Sequence, residues 1–302
     1  MSDQRAFRCF GTRGLALALV LGVAAAIVVA PAGPASAAVP GLVRISATSP
    51  GSSDDFRSVT ATCPAGKVLV GTGYEITGGT GEVVVDDFTP NGGPATAPTA
   101  VTVGAYEADP TTANWTVTAY AVCADPLAGL VRISAASSTD SNDFHSATAA
   151  CPTGKVMTGA GFELTGVTGE AVVDDFRPNG SIASAPTAVT VGAYEADTFV
   201  GNWTATAYAI CANPVPGLIR VTATSALDSA DFRNVTATCP NGSLLTGAGF
   251  EVNGATGEAV VDDFSPNGGA ATAPTSVISG AYEEDAFAGN WDLRSYAICA
   301  DR

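Results

Sequence analysis

The sequence predicts an all-β protein built from three tandem, disulfide-closed modules, and three observations carry that expectation. The phrase Cys151-Pro-Thr-Gly-Lys-Val-Met-Thr-Gly-Ala-Gly-Phe-Glu163 has counterparts starting at Cys63 and Cys239, each 88 residues away. Val, Thr, Ile and aromatic residues alternate between Gly, Pro, Asn and Asp punctuation, and no amphipathic helical stretch persists. Six cysteines recur at two fixed places in the three copies.

The first unit covers residues 41–128, the second 129–216 and the third 217–302. Each opens on one phrase: Gly41-Leu-Val-Arg44, Gly129-Leu-Val-Arg132 and Gly217-Leu-Ile-Arg220. A period of 88 exceeds the 20 to 50 residues of solenoids and propeller blades, so each unit is expected to be a β-sandwich-like module with its own core. The alternative is one closed, pseudo-threefold body resembling a β-prism, which the short joints Ala124-Asp-Pro-Leu-Ala128 and Ala212-Asn-Pro-Val-Pro216 also permit. Threefold repetition points to one economical cysteine pairing: Cys63 with Cys123, Cys151 with Cys211, and Cys239 with Cys299. Each bridge closes 60 residues, worth roughly 4 kcal/mol in the chain-entropy account.

Six strands are expected per unit, falling in the first at residues 42–48, 58–63, 68–76, 82–87, 100–107 and 115–123. In the last of these, Trp115, Val117, Ala119, Ala121 and Cys123 share one face by period-two geometry and should be core. Thr116, Thr118, Tyr120 and Val122 take the other face. It should be partly wet, because Asp292 and Arg294 stand there in the third unit. The recurring Gly-x-Gly-aromatic-Glu phrase, Gly71 to Glu75 in the first unit, sits inside a strand, where glycine marks a bulge or a close backbone approach.

Residues 1–37 carry Arg5, Arg8 and Arg13, an apolar run from Gly14 to Ala30, and a small-residue exit ending at Ala37. These are the parts of a secretory signal peptide, so a secreted, extracellular protein with no membrane span in its mature chain is expected. Its removal takes three Arg and one Asp from 13 basic and 29 acidic residues, leaving a net charge of −18. That field repels phosphate backbones and argues against nucleic-acid partners.

The densest acidic motif runs from Gly81-Glu82 through Asp86-Asp87-Phe88 to Pro90-Asn91-Gly92 and returns in each copy. It supplies the candidate ligand or calcium residues: Glu82, Asp87 and Asn91; Glu170, Asp175 and Asn179; Glu258, Asp263 and Asn267. Asp86 and Asp87 should point to opposite faces, whereas a bend before the proline would bring Asp87 and Asn91 together as oxygen ligands suited to Ca2+. The bland alternative is an Asp-capped turn with Asn-Gly at the reversal. Further acids recur before Phe, at Asp55, Asp143 and Asp231, and in the pairs Glu107/Asp109, Glu195/Asp197 and Glu283/Asp285. No catalytic constellation emerges: His145 is replaced by Arg57 and Arg233 in the other copies, and all six cysteines of residues 38–302 have a partner.

The phrases Cys-Pro-x-Gly (Cys63 to Gly66, Cys151 to Gly154, Cys239 to Gly242) and Tyr-Ala-[Val/Ile]-Cys-Ala (Tyr120 to Ala124, Tyr208 to Ala212, Tyr296 to Ala300) resemble a repeat module of exported bacterial proteins. The resemblance spans the mature chain and implies a disulfide-closed β module in an extracellular setting, with no activity attached. The function expected is non-catalytic binding of a glycan or cell-envelope polymer through repeated sites, which gain affinity by avidity. The alternatives are a structural or inhibitor-like surface protein with an extracellular protein partner, and a hydrolase using the recurring carboxylates.

Overall fold

The computed structural model describes residues 38–302, so the expected leader lies outside the described residues. The first repeat contributes β1 (Val43–Thr48), β2 (Phe56–Thr62), β3 (Val68–Thr77), β4 (Val83–Pro90), β5 (Ala100–Glu107) and β6 (Thr116–Ala124). The second contributes β7 (Val131–Ala136), β8 (Phe144–Ala150), β9 (Val156–Thr165), β10 (Ala171–Pro178), β11 (Ala188–Glu195) and β12 (Thr204–Ala212). The third contributes β13 (Ile219–Thr224), β14 (Phe232–Thr238), β15 (Ser243–Asn253), β16 (Ala259–Pro266), β17 (Ser276–Glu283) and β18 (Asp292–Asp301). Among the described residues no helix is long and apolar enough to cross a membrane.

The strands form three six-stranded antiparallel sheets, ordered β1-β6-β3-β16-β17-β14, β13-β18-β15-β10-β11-β8 and β2-β5-β4-β9-β12-β7. Each sheet takes three strands from one repeat and three from another. Features of both expected arrangements are present, but one continuous hydrophobic core runs through all three repeats instead of a separate core in each. A repeat is two three-stranded half-sheets facing each other, and each half-sheet continues edge to edge into a neighbouring repeat, closing a pseudo-threefold prism.

Within a repeat the disulfides Cys63–Cys123, Cys151–Cys211 and Cys239–Cys299 link the two half-sheets. Beside them Trp115, Trp203 and Trp291 are fully buried. Each indole N–H reaches a carboxylate, Glu107 at 2.9 Å, Glu195 at 3.1 Å and Glu283 at 2.9 Å, as a buried indole requires. The predicted core face of β6 is fully buried, but the other face is drier than expected. Thr118 and Tyr120 are buried in the first repeat, because Arg44 lies 4.6 Å over the Tyr120 ring.

Three devices hold the repeats together. At the centre Tyr74, Phe88, Phe162, Phe176, Phe250 and Phe264 pack with neighbouring ring centroids from 5.1 to 6.0 Å apart, mostly edge to face. Around them the strands carrying Gly71, Gly159 and Gly247 approach so closely that a Cβ on any of the three would strike a backbone carbonyl of a different repeat. Bulges at the same place, between Leu69 and Gly71 and between Leu245 and Gly247, satisfy both readings of the Gly-x-Gly phrase. The third device is a clasp. Ala95 N–H donates to Arg132 O at 3.0 Å and Arg132 N–H to Thr96 O at 2.9 Å, while the Arg132 guanidinium donates to Pro90 O at 2.7 Å. The same bonds join Ala183 to Arg220, and Ala271 to Arg44, so the third repeat closes on the first.

Candidate functional site

The loop that opens on Gly81 packs its glycine against Tyr282 and Glu283 of the third repeat. Gly169 sits in the same way on Tyr106 and Glu107, and Gly257 on Tyr194 and Glu195. A positive φ of 76–78° at these glycines lets the chain turn there without a side chain in the way. At the first of these contacts a cleft shared by two repeats opens. The cleft between the third and first repeats has a volume of about 400 Å3 and is lined by Glu82, Asp231, Tyr282, Glu283, Glu284 and Asp285. Its counterpart in the second repeat, about 350 Å3, is lined by Asp143, Glu195, Asp197 and Thr198.

A Phe–Tyr pair stacks in each repeat, and Tyr282 of one pair lines the cleft between the third and first repeats. Phe56 stacks on Tyr106 and Phe144 on Tyr194 at 4.4 Å, and Phe232 on Tyr282 at 4.3 Å. Phe56 and Phe144 remain 42% and 41% exposed. The three pairs arise from cross-strand register, in which Phe56 opposes Tyr106, Phe144 opposes Tyr194 and Phe232 opposes Tyr282. Partial burial, reinforced by nearby Asp carboxylates, raises the phenol pKa of all three tyrosines, so each hydroxyl keeps its proton as a donor.

The carboxylates of the three repeats converge. Partial burial and then Asp109 and Asp285 raise the pKa of Glu82. Glu284, which replaces the alanines 108 and 196 of the other repeats, is pushed up to about 7 by burial and by Asp285, Asp109, Asp197 and Glu82. Among the described residues no group of three or more His, Cys, Asp or Glu is arranged to hold a metal ion.

The nine residues singled out from the sequence fall in three places rather than one. Glu82 stands in the cleft just described, with Glu170 and Glu258 at the same position in their loops. Asp87, Asp175 and Asp263 lie across the joints from Glu163, Glu251 and Glu75. Burial raises the pKa of all three and the opposing glutamate adds to it, with Arg177 opposing the rise at Asp175. Asn91 Oδ1 accepts from the N–H groups of Thr99 and Ala100 at 2.7 and 3.0 Å, and Asn179 and Asn267 repeat the pattern. The bend expected to join Asp87 to Asn91 is absent, because β4 runs straight on to Pro90 and the asparagine is consumed in closing the next turn. A bulge between Val85 and Asp87 interrupts the alternation expected to send Asp86 and Asp87 to opposite faces. Asp86 is buried and its Oδ2 accepts from Gly169 N–H of the next repeat at 3.3 Å.

His145 meets Ser137 Oγ at 3.0 Å and Asp140 at 3.4 Å, the composition of a catalytic triad. The serine is nevertheless a strut. Ser137 Oγ accepts from Ala205 N–H, as Ser49 does from Val117 and Ser225 from Leu293 in repeats that lack the histidine. His145 packs against Trp203 where Arg57 and Arg233 cover Trp115 and Trp291. Sequence reading missed Tyr106, Tyr194 and Tyr282. The available signal was the recurrence of an aromatic just before Glu107, Glu195 and Glu283 on a strand otherwise made of small residues.

No protein-family model matches the chain, and comparison with curated proteins finds no match. Among the solved structures that align with it, two are of low similarity. One, described as "The Triple Jelly Roll Fold and Turret Assembly in an Archaeal Virus", covers 86% of this chain and 91% of its own at 9% identity and a TM-score of 0.18. The other, apo translation elongation factor SelB from Methanococcus maripaludis, covers 86% and 62% at 10% identity and a TM-score of 0.11. At these scores neither alignment bears on fold or function.

Proposed function

We propose that the protein is a non-catalytic, extracellular binding body for a glycan or cell-envelope polymer, engaged through its acidic clefts. One observation carries the reading: a half-exposed Phe–Tyr pair stands in each repeat, beside carboxylates that converge from all three. Aromatic faces offer flat apolar area to the C–H faces of a sugar, while carboxylates accept hydrogen bonds from its hydroxyls. Open clefts of a few hundred Å3 with a few convergent polar groups suit a short saccharide segment, and threefold repetition turns weak sites into avidity. Three disulfides suit an oxidising compartment. Pull-down with neutral and charged polysaccharides is the direct test. The double variant Tyr282→Ala/Phe232→Ala is expected to weaken retention about fivefold or more, at about 1–3 kcal/mol per stacking platform. Retention unchanged by all three aromatic double variants would overturn the assignment of the clefts.

Glu284 favours a second reading, a hydrolase. A carboxylic acid held near neutral pKa among other carboxylates has the character of a general acid. That reading requires turnover on a chromogenic glycoside panel and its loss in Glu284→Gln, with folding intact.

A further inference from the structure

The three joints between repeats are built alike on the sheet surface. In each, a tyrosine hydroxyl donates to a glutamate, Tyr120 to Glu75, Tyr208 to Glu163 and Tyr296 to Glu251, and a clasp arginine covers the tyrosine ring. One joint differs. Where the first joint has Thr89 and Thr206 and the third has Ser265 and Thr118, the joint between the second and third repeats has Arg177 and Arg294. One of these arginines comes from the second repeat and the other from the third. Two departures from the repeat at unrelated positions thus meet at one place, in a groove of about 440 Å3 that also contains Arg220.

We propose that Arg177 and Arg294 form an oxyanion clamp, a second binding site apart from the acidic clefts, which takes a carboxylate, sulfate or phosphate group. Glu251 positions both arginines: Arg177 Nη1 donates to Oε1 at 3.0 Å and Arg294 Nη1 to Oε2 at 3.3 Å. The Glu251 side chain is 8% exposed whereas the two arginines are 45% and 40% exposed, so the anchor is dry and the fingers are wet. Each guanidinium has five N–H donors in a fixed fork. Arg177 makes one hydrogen bond here and Arg294 one, with Asp292 at 3.6 Å from its Nε, which leaves donors on both for a ligand. Neutralising the carboxylate pair at the joint does not by itself explain the arginines. Asp87 faces Glu163 and Asp263 faces Glu75 at the other two joints with threonine or serine in their place. The overall charge of −16 repels polyanions at long range, but within about one Debye length of ~8 Å the local forks decide.

The test is titration of the full chain, with the arginine Nε–Hε signals followed by NMR, using inorganic sulfate, inorganic phosphate, a uronic-acid oligosaccharide and its carboxyl-reduced neutral form. Arg177 and Arg294 signals are expected to shift with the charged ligands and not with the neutral one. Arg177→Thr/Arg294→Thr, which copies the first joint, is expected to weaken binding about tenfold or more. Arg177→Lys/Arg294→Lys should fall between the two, because it keeps charge and loses the fork. Shifts with the oligosaccharide alone would identify a polymer-borne anion as the ligand, and shifts with sulfate or phosphate alone a free oxyanion. Signals unmoved by every charged ligand, or wild-type affinity in a folded threonine variant, would overturn the clamp. Retention of the neutral oligosaccharide alone would sink the clamp and leave the clefts standing, whereas a clamp that binds while no glycan touches the clefts would do the reverse.

Discussion

Asp262 is buried at the joint between the third and first repeats, where its Oδ2 accepts from Gly81 N–H at 3.3 Å and its Oδ1 has no partner. Asp86 and Asp174 occupy the same position at the other joints, each with Oδ1 unpartnered. Burial is the main reason the pKa of Asp262 rises from 3.8 to about 8, with the Asp263 charge adding to it and the Gly81 N–H opposing it. The folded form therefore holds its proton more tightly than the unfolded chain. The resulting stability is complete below about pH 4, is lost as pH climbs towards 8, and changes no further beyond that. Asp262→Asn removes the titration while keeping the shape. Denaturant melts of the variant are expected to lose much of the decline between pH 4 and 8 and to show greater stability than wild type at pH 9, by a few kcal/mol at about 1.4 kcal/mol per pKa unit. A parallel pH dependence in variant and wild type would show that the carboxyl is ionised in the fold.

The loops that join the repeats hold three alanines in a left-handed backbone conformation. Ala95, Ala183 and Ala271 sit at φ of 61°, 62° and 59°, a region that disfavours any residue with a Cβ, because their N–H groups must reach Arg132, Arg220 and Arg44 of the neighbouring repeat. Replacing all three by glycine should stabilise the protein by up to about 1 kcal/mol per site, the released strain being set against the greater freedom of an unfolded glycine. A lower melting temperature in the triple variant would contradict this. The clasp also shows where sequence reading stops. Strand positions in the first repeat were legible to within about three residues, because alternation and turn residues are local signals. The cysteine pairing was legible from repetition, and the closeness around Gly71 from glycine inside a strand. Which strand lies beside β4 was not legible, since period two reports the face a residue takes and not the partner it meets. For the same reason Glu82, Asp87 and Asn91, close in sequence, read as one site and fold to three. The cleft between the third and first repeats needs Glu82 from one and Tyr282 from the other, 200 positions away.

At the scale of the whole molecule, closure of the ring decides what a single repeat can do alone. The second repeat, residues 129–216, presents β10 with Phe176, the clasp loop and Asp174 along one edge. It presents β9 with Phe162, Gly159 and Gly161, and the clasp residue Arg132, along the other. In the full chain these edges meet the third and first repeats through equivalent residues: Phe176 faces Phe250, and Phe88 faces Phe162. Each edge is therefore complementary to the opposite edge of another copy, a head-to-tail contact that closes after three subunits because the covalent protein closes after three repeats. Isolated residues 129–216 are expected to form a homotrimer in sedimentation equilibrium, and to unfold on dilution as the trimer dissociates, since unpaired β9 and β10 edges would expose the aromatic centre. Arg132→Ala in that fragment removes the guanidinium bond to the proline carbonyl and the stacking on Tyr208, together about 2 kcal/mol at each of three joints, and should move assembly to higher concentration. A fragment that stayed monomeric and folded would mean that each sandwich is self-sufficient and that the joints only align the three. A trimer would mean that the joints are part of the core, and that a cleft shared between repeats exists only when the ring is closed.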